Sequence, residues 1–556
     1  MNSVAFMRNL RYTELYFYKG GIERRMEKSR KQFIGIVLIM VFMIALTRGL
    51  TISHNMELHP DEHVFYNAAQ SLKGYISGSS PVYEEEKEYP EGAIVLQVPF
   101  HILTAIINRL AGTDISPQLS GRIAAVFYFT VGAVLGSVVL YRYFTKNIVS
   151  LALYGAITVF SIIHITQSRY GTADAITFPL LMAVILFTAL ALEQKSHRYL
   201  CIAAAFFMSG ALCAVKYPLI FFSAIPVYGI IRILKPEHFK YKYLLLFIAV
   251  PVLYLGFALL SPKAAIDPLY IIRASTREIG AYMSEHSASN YSWIWTHFMS
   301  MFTFSTLYSG FPLVTFFFVA AVCKMRKVSS RTQSTDILFS TVLPIVITIF
   351  FTYNIFVRLL VSRSFYPFFF LTDLYAAYFV DSWLCDRNHI KRAAAIFLCT
   401  VMVARGCYYI VLLSEKHASD RYDKMILSSV DKNWNKTTIL SGFLVLPSGY
   451  NEYPSLSVVN SDDKRFSDKE SILLENGELF IAGARDFTVY SCYFNFLPSL
   501  HSDTLDSITW ENFKTANSEY YVGNLYPRYV NYILGNWLMG TNGCYEFPTT
   551  TLFYRP

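Results

Sequence analysis

Long apolar runs constrain this chain more than any other feature, because they recur from residue 33 to residue 413. An α-helix needs about 20 mainly apolar residues to cross the hydrocarbon layer of a bilayer. We predict eleven spans, at 33–52, 122–144, 148–166, 175–192, 199–215, 218–234, 243–260, 295–322, 337–356, 365–384 and 393–413. Only 16% of the residues are charged, against roughly 25% in globular domains. The chain is therefore predicted to be a mainly α, polytopic membrane protein.

The net charge of +9 is carried largely by the segments between the apolar runs. Nucleic-acid binders gather lysine and arginine into one patch, whereas here these residues flank the runs, as they do in cytoplasmic loops of membrane proteins. With a cytoplasmic N-terminus, the inner loops hold 23 basic residues and the outer loops before residue 414 hold ten. This asymmetry requires the run 92–110 to be interfacial or re-entrant. We predict membrane lipids as partners and no nucleic acid.

We divide the chain into three parts: a cytoplasmic segment 1–32, a transmembrane domain 33–413 and an extracytoplasmic α/β domain 414–556. The first run is long and no small-residue cleavage site follows it, so we do not expect a cleaved signal peptide. Strands are predicted in the last domain at 443–446, 479–482 and 488–494. Cys492 and Cys544 also lie there, and both a disulfide and two unpaired thiols remain open.

The first predicted outer loop places two adjacent carboxylates, Asp61 and Glu62, just beyond the first span. Apolar residues follow at helical spacing, so this segment can lie along the membrane interface. Acids in a first helical turn are also stabilised by the helix dipole, and a purely structural role is the alternative. With His59 and His63, the pair offers the ligand types of a divalent metal site. Consecutive residues cannot all aim at one ion, so we expect no metal and no other cofactor.

Further ionisable groups lie in the other predicted outer loops. Asp174 opens a span, with Arg169 one short loop before it. Ionisable groups at membrane depth are costly and usually mark function, although a helix-capping aspartate beside a loop arginine is the alternative. The remaining polar candidates on this side are Lys87, Tyr89, Lys216, Arg358, Arg363 and Tyr366. Each cation alone could bind lipid headgroups, but together the acids and cations indicate one polar site at the outer face.

This set of residues resembles the GT-C class of membrane glycosyltransferases, and within it the superfamily of protein mannosyltransferases and aminoarabinose (lipid A) transferases. The matching pieces are Asp61-Glu62, Tyr66-Asn67-Ala68-Ala69, Tyr89-Pro90, Asp174, Lys216-Tyr217-Pro218 and Arg363 with Tyr366-Pro367. The resemblance covers residues 33–413. The chain departs from it at Phe65, where the family often has tyrosine, and at Glu91, where it often has proline.

The resemblance implies an inverting glycosyltransferase whose donor is a sugar on a polyprenyl phosphate and whose acceptor is a glycan, lipid or protein. Asp61 would be the general base that deprotonates the acceptor hydroxyl, and Glu62 or Asp174 would orient acceptor and base. The relatives generally work without a metal. The residues expected to bind the substrates, including the phosphate that leaves, are Lys87, Tyr89, Arg169, Lys216, Arg358, Arg363 and Tyr366.

Three other functions stay open from the sequence. A secondary transporter carries acids near the bilayer midplane and often has internal repeats, whereas here the acids lie near one surface and no repeat is visible. A non-catalytic anchor that presents the C-terminal domain would not need polar residues along the outer loops. A ligase that moves a whole glycan has the same requirements as a transferase of single sugars.

Overall fold

In the computed structural model of this chain, the described residues are 27, 29–52, 62, 65, 67–69, 71, 91–194, 196–233, 239–270, 272–273, 276, 298, 313–328, 334–356, 366–418 and five strands between 438 and 554. The helices with described bounds are α1 Ser29–Gly49, α2 Glu91–Ala111, α3 Pro117–Val139, α4 Ile148–Phe160, α5 Ile162–Ser168, α6 Ala173–Glu193, α7 Arg198–Val215, α8 Ala224–Ile233, α9 Phe239–Leu260, α10 Pro262–Ile266, α11 Val314–Val328, α12 Ser334–Ile337, α13 Leu343–Phe356, α14 Tyr366–Leu384 and α15 His389–Ala418. A π-helical turn at Leu140–Phe144 prolongs α3, another at Leu338–Val342 joins α12 to α13, and a 3₁₀ helix at Tyr217–Ser223 precedes α8.

Within these ranges, seven helices are long and apolar enough to cross a membrane, or eight if the bent pair α4–α5 is one span. The predicted span 218–234 is a shorter apolar stretch, Tyr217–Ile233, and the start of the predicted span 295–322 lies largely outside the described residues. The run 92–110 forms α2, which qualifies as a span by length and composition. Its interfacial position and the number of eleven spans stay predictions.

The helices form a bundle with α6 at its centre. Of the residues in its most apolar 18-residue stretch, 72% are buried, against 22% in α1 and 33% in α15. α6 packs against α3 and α7, and α7 packs against α9. The outer helices expose large apolar side chains such as Phe42, Phe247 and Phe397. A surface this apolar needs an apolar medium, and the chain is a mainly α integral membrane protein.

A bend of 57° separates α4 from α5. A bend frees backbone carbonyls at the end of the first helix, and these need donors from elsewhere. Arg48, in the last turn of α1, supplies them: Nη1 donates to the Val159 carbonyl at 2.7 Å and Nη2 to the Thr158 carbonyl at 3.0 Å. Its Nε donates to Ser168 Oγ at 2.9 Å. One guanidinium therefore joins both sides of the bend and fixes where α5 ends.

Polar residues of the loops meet at two opposite ends of the bundle. Near the start of α6, Asp174 contacts Lys216, and at its other end Glu193 accepts a hydrogen bond from Arg142. At 1.5 Å per residue the two ends of α6 are about 30 Å apart. Residues of predicted outer loops thus share one end, called here the site end, and residues of predicted inner loops share the other. The side that faces the cytoplasm stays a prediction.

The C-terminal part contains a mixed five-stranded sheet, β1 Thr438–Ser441, β2 Leu456–Val459, β3 Leu479–Gly483, β4 Tyr521–Asn524 and β5 Thr550–Tyr554. The strand order is β2-β1-β3-β5-β4, with β1 parallel to β2 and β3, and β5 antiparallel to β3 and β4. The strand predicted at 479–482 is confirmed as β3. The strands predicted at 443–446 and 488–494 lie outside the described residues, as do Cys492 and Cys544.

Two glycines allow α7 and α9 to approach closely. A Cβ added at Gly210 would overlap the carbonyl oxygen of Leu253, and one at Gly256 would overlap that of Phe207. In membranes, small residues at helix interfaces give close van der Waals packing where no hydrophobic force drives association. This pair of contacts holds α7, and with it Lys216 just after its end, against α9.

We predict that Gly210→Ala lowers the stability of the protein by about 1–3 kcal/mol, because the added methyl group cannot be placed without moving α9. Gly35→Ala is the matched control, since a Cβ at Gly35 meets no atom within 4 Å. Thermal unfolding of both variants in detergent measures the difference. If the two variants unfold at the same temperature, the close contact at Gly210 does not stabilise the packing of α7 on α9.

Candidate functional site

A buried ion pair ties the first predicted outer loop to the bundle. Arg122, in the first turns of α3, donates from Nε to Glu62 Oε1 at 2.7 Å and from Nη2 to Glu62 Oε2 at 2.8 Å. Both side chains are at most 1% exposed. A guanidinium matches a carboxylate in this two-bonded geometry, which fixes direction as well as distance. Glu62 is therefore held in one orientation at the site end.

The turn between α5 and α6 is held by hydrogen bonds to its backbone. The N–H of Gly171 donates to Glu62 Oε1 at 2.9 Å, and the carbonyl of Gly171 accepts from Gln97 Nε2 at 2.8 Å. A Cβ at Gly171 would come within 3.0 Å of the backbone of Gly121, so a glycine is needed for this close approach. α2, α3 and the first outer loop together set the position of the turn that leads to Asp174.

Asp174 and Lys216, predicted separately from two different loops, are in contact. Asp174 Oδ1 lies 2.8 Å from Lys216 Nζ, and Asp174 Oδ2 accepts from Thr172 Oγ1 at 3.2 Å. The aspartate side chain is 5% exposed and that of the lysine 19%. The structure thus brings a predicted orienting acid and a predicted phosphate ligand together as an ion pair, with the lysine on the more accessible side.

Arg169 is packed inside the turn. Its Nη2 donates to Tyr170 Oη at 2.8 Å, and its guanidinium carbon lies 4.8 Å from the centre of the Tyr170 ring. Nη1 lies 3.5 Å from the carbonyl oxygen of Thr51, which follows α1. The side chain is almost fully buried. Its positive charge stands close to the site end, and direct contact with a phosphate stays a prediction.

Tyr366, at the start of α14, is connected to two ionisable groups inside the bundle. Its Oη is 3.0 Å from Nδ1 of His164, and Nε2 of His164 is 2.7 Å from Oδ2 of Asp373. Asp381, near the other end of α14, accepts from Asn147 of a predicted inner loop at 2.8 Å, so the start of α14 points towards the site end. The predicted residue Tyr366 is therefore brought to the same end as Asp174, with a buried histidine and aspartate behind it.

Glu91, at the start of α2, forms a second group of polar contacts close to the Asp174–Lys216 pair. Glu91 Oε2 accepts from Ser261 Oγ at 2.6 Å and from the Lys263 N–H at 3.1 Å, whereas Oε1 has no hydrogen-bond partner in the described part of the chain. A Cβ at Gly92 would lie 2.6 Å from the carbonyl carbon of Ala214. Partial burial lowers the pKa of the Lys263 ammonium. The start of α2 is thus packed on the end of α7, two residues before Lys216.

Several predicted site residues lie outside the described residues: Asp61, Lys87, Tyr89, Arg358 and Arg363. His59 and His63, which were considered as metal ligands, lie outside them too. Among the residues that are described, no three His, Cys, Asp or Glu side chains are grouped as metal ligands would be. The described members of the predicted set, Glu62, Arg169, Asp174, Lys216 and Tyr366, all lie at the site end.

Sequence reasoning missed four charged or titratable residues that shape this end: Arg48, Arg122, His164 and Asp373. Each lies within or at the edge of a predicted span, and each contacts a group at least 60 residues away in the sequence. A signal was present, because ionisable residues inside apolar runs are rare and usually functional. These four residues are inconspicuous in the sequence, because their partners lie in distant segments that no local pattern connects to them.

Comparisons with known proteins give similarity in fold. Neither a protein-family model nor a curated protein matches the sequence. Among solved structures, ArnT from Cupriavidus metallidurans bound to undecaprenyl phosphate is similar over 81% of this chain and 92% of its own, with 14% identity and a TM-score of 0.44. Its apo state is similar over 84% and 95%, with 12% identity and a TM-score of 0.45.

The archaeal oligosaccharyltransferase AglB from Archaeoglobus fulgidus, in complex with an inhibitory peptide and a dolichol-phosphate, is similar over 83% of this chain and 70% of its own. The identity is 9% and the TM-score 0.42. Identities this low transfer no residue role from those proteins to this chain.

Proposed function

We propose that this protein is a membrane glycosyltransferase that moves a sugar from a polyprenyl phosphate to an acceptor hydroxyl, with inversion, on the extracytoplasmic side. One observation carries the proposal: three separate predicted outer loops are linked by contacts, from Glu62 to Gly171 in the turn before Asp174, and from Asp174 to Lys216. Acids next to a cation at one membrane surface suit a reaction that removes a proton and releases a phosphate.

Asp61 is the proposed general base. It immediately precedes Glu62 in the sequence, and the resemblance to the membrane glycosyltransferases places the base at this position. The carboxylate oxygens of Glu62 are engaged by Arg122 and Gly171. Glu62 therefore suits the role of holding the turn in place, and Asp174 is the better candidate for orienting the acceptor.

The phosphate of the donor is proposed to bind at Lys216 and Tyr366, together with Lys87, Tyr89, Arg358 and Arg363. In the ion pair with Asp174, Lys216 is the more exposed residue, and its ammonium group is a compact charge on a flexible side chain. A phosphate that approaches Lys216 would share its ammonium group with Asp174, whose carboxylate oxygens have further lone pairs to accept a hydrogen bond from an acceptor hydroxyl. Arg169 adds positive charge from within the turn.

A proton-coupled transporter is the second candidate, and one observation favours it. The pair His164–Asp373 is buried within the bundle, and intramembrane acids and histidines form proton relays in transporters. A transporter moves its substrate unchanged, whereas a transferase breaks the bond between sugar and phosphate. Analysis of the products after incubation with a labelled donor therefore separates the two. Polyprenyl donors that carry one sugar or a longer glycan separate single-sugar transfer from ligation.

We expect purified full-length protein to transfer label from a polyprenyl-phosphate sugar, and Asp61→Asn to lower the rate by about 10²- to 10⁴-fold, the usual contribution of a general base. The product should have the anomeric configuration opposite to that of the donor, as nuclear magnetic resonance of the product shows.

The matched control is Asp114→Asn, the same chemical change at an exposed loop position. It should leave the rate unchanged. Full activity of Asp61→Asn would remove Asp61 as the base, and release of unmodified donor across a vesicle membrane without bond cleavage would remove the transferase proposal.

We expect Arg122→Met to lower the free energy of unfolding by about 3–5 kcal/mol, because it leaves the Glu62 carboxylate buried without its counter-ion. Arg142→Met is the control, since Arg142 and Glu193 form an exposed pair at the other end, and such pairs contribute about 0–1 kcal/mol. Thermal unfolding in detergent measures both. Equal stability of the two variants would contradict a structural role for Glu62.

A further inference from the structure

An open apolar groove runs between α11 and α13 on the surface of the bundle. Its volume is about 690 Å³, within the range of roughly 300–1,000 Å³ that is usual for ligand sites. Val319 of α11 and Ile345 and Ile349 of α13 line it, and each of these side chains is about half-exposed. Phe318 lies deeper, where its ring contacts that of Phe368. The groove therefore has a packed base and is open on the apolar surface of the bundle.

The lining of the groove suits a flexible hydrocarbon chain. Thr348, midway along the α13 wall, donates its hydroxyl to the Pro344 carbonyl at 2.8 Å, so this polar group is satisfied within its own helix. A hydrocarbon chain brings no polar groups that would need partners here. A further helix fits less well, because the lining includes neither glycine nor alanine, which let membrane helices approach closely.

The length of the groove matches one leaflet of a bilayer. Its lining extends from Phe318 to Arg326 on α11 and from Pro344 to Tyr353 on α13. At 1.5 Å per residue these stretches are about 12–14 Å long. The hydrocarbon layer of a bilayer is about 30 Å thick, so one leaflet contributes about 15 Å. The acyl chain of a phospholipid in one leaflet therefore has the length that the groove can cover.

Arg326 marks the end of the groove that lies opposite the site end. Its Nε donates to the Ser340 carbonyl at 3.1 Å. The ring of the neighbouring Phe339 stacks on that of Tyr143 with 5.3 Å between centroids, and the Tyr143 hydroxyl donates to Glu193 Oε2 at 3.2 Å. Glu193 ends α6 at the end of the bundle away from the site. The charged end of the groove thus lies at the other membrane surface.

The charge around this end of the groove is positive. Lys324, Arg326 and Lys327 lie in the last turns of α11, whereas residues 334–342 contribute one acid, Asp336. Arg326 is exposed, and its Nη1 and Nη2 make no hydrogen bond to the residues that the structure describes. A guanidinium binds a phosphate through two parallel N–H groups. Basic pockets between membrane helices bind the headgroups of anionic lipids in this way.

We propose that the groove between α11 and α13 binds an anionic phospholipid of the leaflet opposite the site end. One acyl chain lies along the groove, and the phosphate is held by the Nη groups of Arg326, with Lys327 adding positive charge. The lipid takes no part in the proposed reaction, which is placed at the other end of the bundle.

Photochemical cross-linking tests this proposal. The full-length protein is placed in phosphatidylcholine vesicles that contain a small fraction of phosphatidylglycerol with a photoreactive acyl chain, and the labelled peptides are identified by mass spectrometry. We expect label on the lining segments 318–323 and 344–353, and about tenfold less of it in Arg326→Gln, since a hydrogen bond to a charged group contributes about this much. Phosphatidylcholine with the same photoreactive chain should label these segments more weakly.

Arg232→Gln is the matched control for the headgroup. Arg232 is also exposed, and its Nε donates to Ser334 Oγ at 3.3 Å at the same end of the bundle, but it does not line the groove. Val319→Trp tests the chain separately, because a larger side chain fills the groove and should remove the label there. Val250→Trp is its control, since Val250 is exposed on α9 outside the groove.

Three results would overturn the inference. Equal labelling by the two phospholipids, unchanged in Arg326→Gln, would mean that the groove only contacts bulk lipid. Label that persists in Val319→Trp would mean that the chain lies elsewhere. Displacement of the label by undecaprenyl phosphate at concentrations where phosphatidylglycerol does not compete would assign the groove to a polyprenyl chain. The assay of label transfer from a polyprenyl-phosphate sugar is independent of all three.

Discussion

Backbone carbonyls freed by the bend after α4 must find hydrogen-bond donors inside the protein, because lipid offers none. Arg48 meets this requirement with a single side chain, and it does so from the end of a different helix. The same guanidinium reaches Ser168, so the direction of α5 and the starting point of the following turn are set together. This contact fixes where the turn that carries Arg169 begins, and the bonds of Gly171 to Glu62 and Gln97 hold the turn further along, before Asp174.

Charge at the site end is arranged in pairs. Glu62 is paired with Arg122, Asp174 with Lys216, and Asp373 with His164. Burial of a single carboxylate in an apolar bundle would be very unfavourable, so each acid comes with a partner from another segment. The three pairs differ in accessibility, and only the pair with Lys216 has a substantially exposed member. Of these three pairs, the Asp174–Lys216 pair is therefore the one that a group from solution can reach most easily.

Much of the fold follows from the sequence, because long apolar runs determine where helices form in a membrane protein. The helices α3, α6 and α7 lie within a few residues of their predicted spans. The bend between α4 and α5 was not predicted, since Phe160 and Ser161 carry no glycine or proline signal. It is stabilised by a contact between Arg48 and carbonyls some 110 residues away, which local periodicity does not reveal.

The candidate site was predicted only in part, because contacts between residues that are distant in the sequence are not visible in local patterns. Glu62 and Asp174 were found because acids at loop ends are visible in the sequence, and their grouping with Lys216 follows from the alternation of loops between two sides. Arg122 and His164 were missed because their importance comes from what they touch. Glu62 is an example. As an acid in an outer loop it was predicted to be catalytic, whereas its two-bonded contact with Arg122 indicates that it holds the structure of the site end.

The order of strands in the C-terminal sheet has a consequence for biosynthesis. β5, the last of the five in chain order, lies between β3 and β4. Ribosomes deliver it after every other strand, so the sheet stays split in two until residue 554 has been made and has reached its neighbours. Nascent or prematurely terminated chains would present unpaired strand edges, which favour aggregation. Assembly of this sheet is therefore completed only after the other four strands have been made.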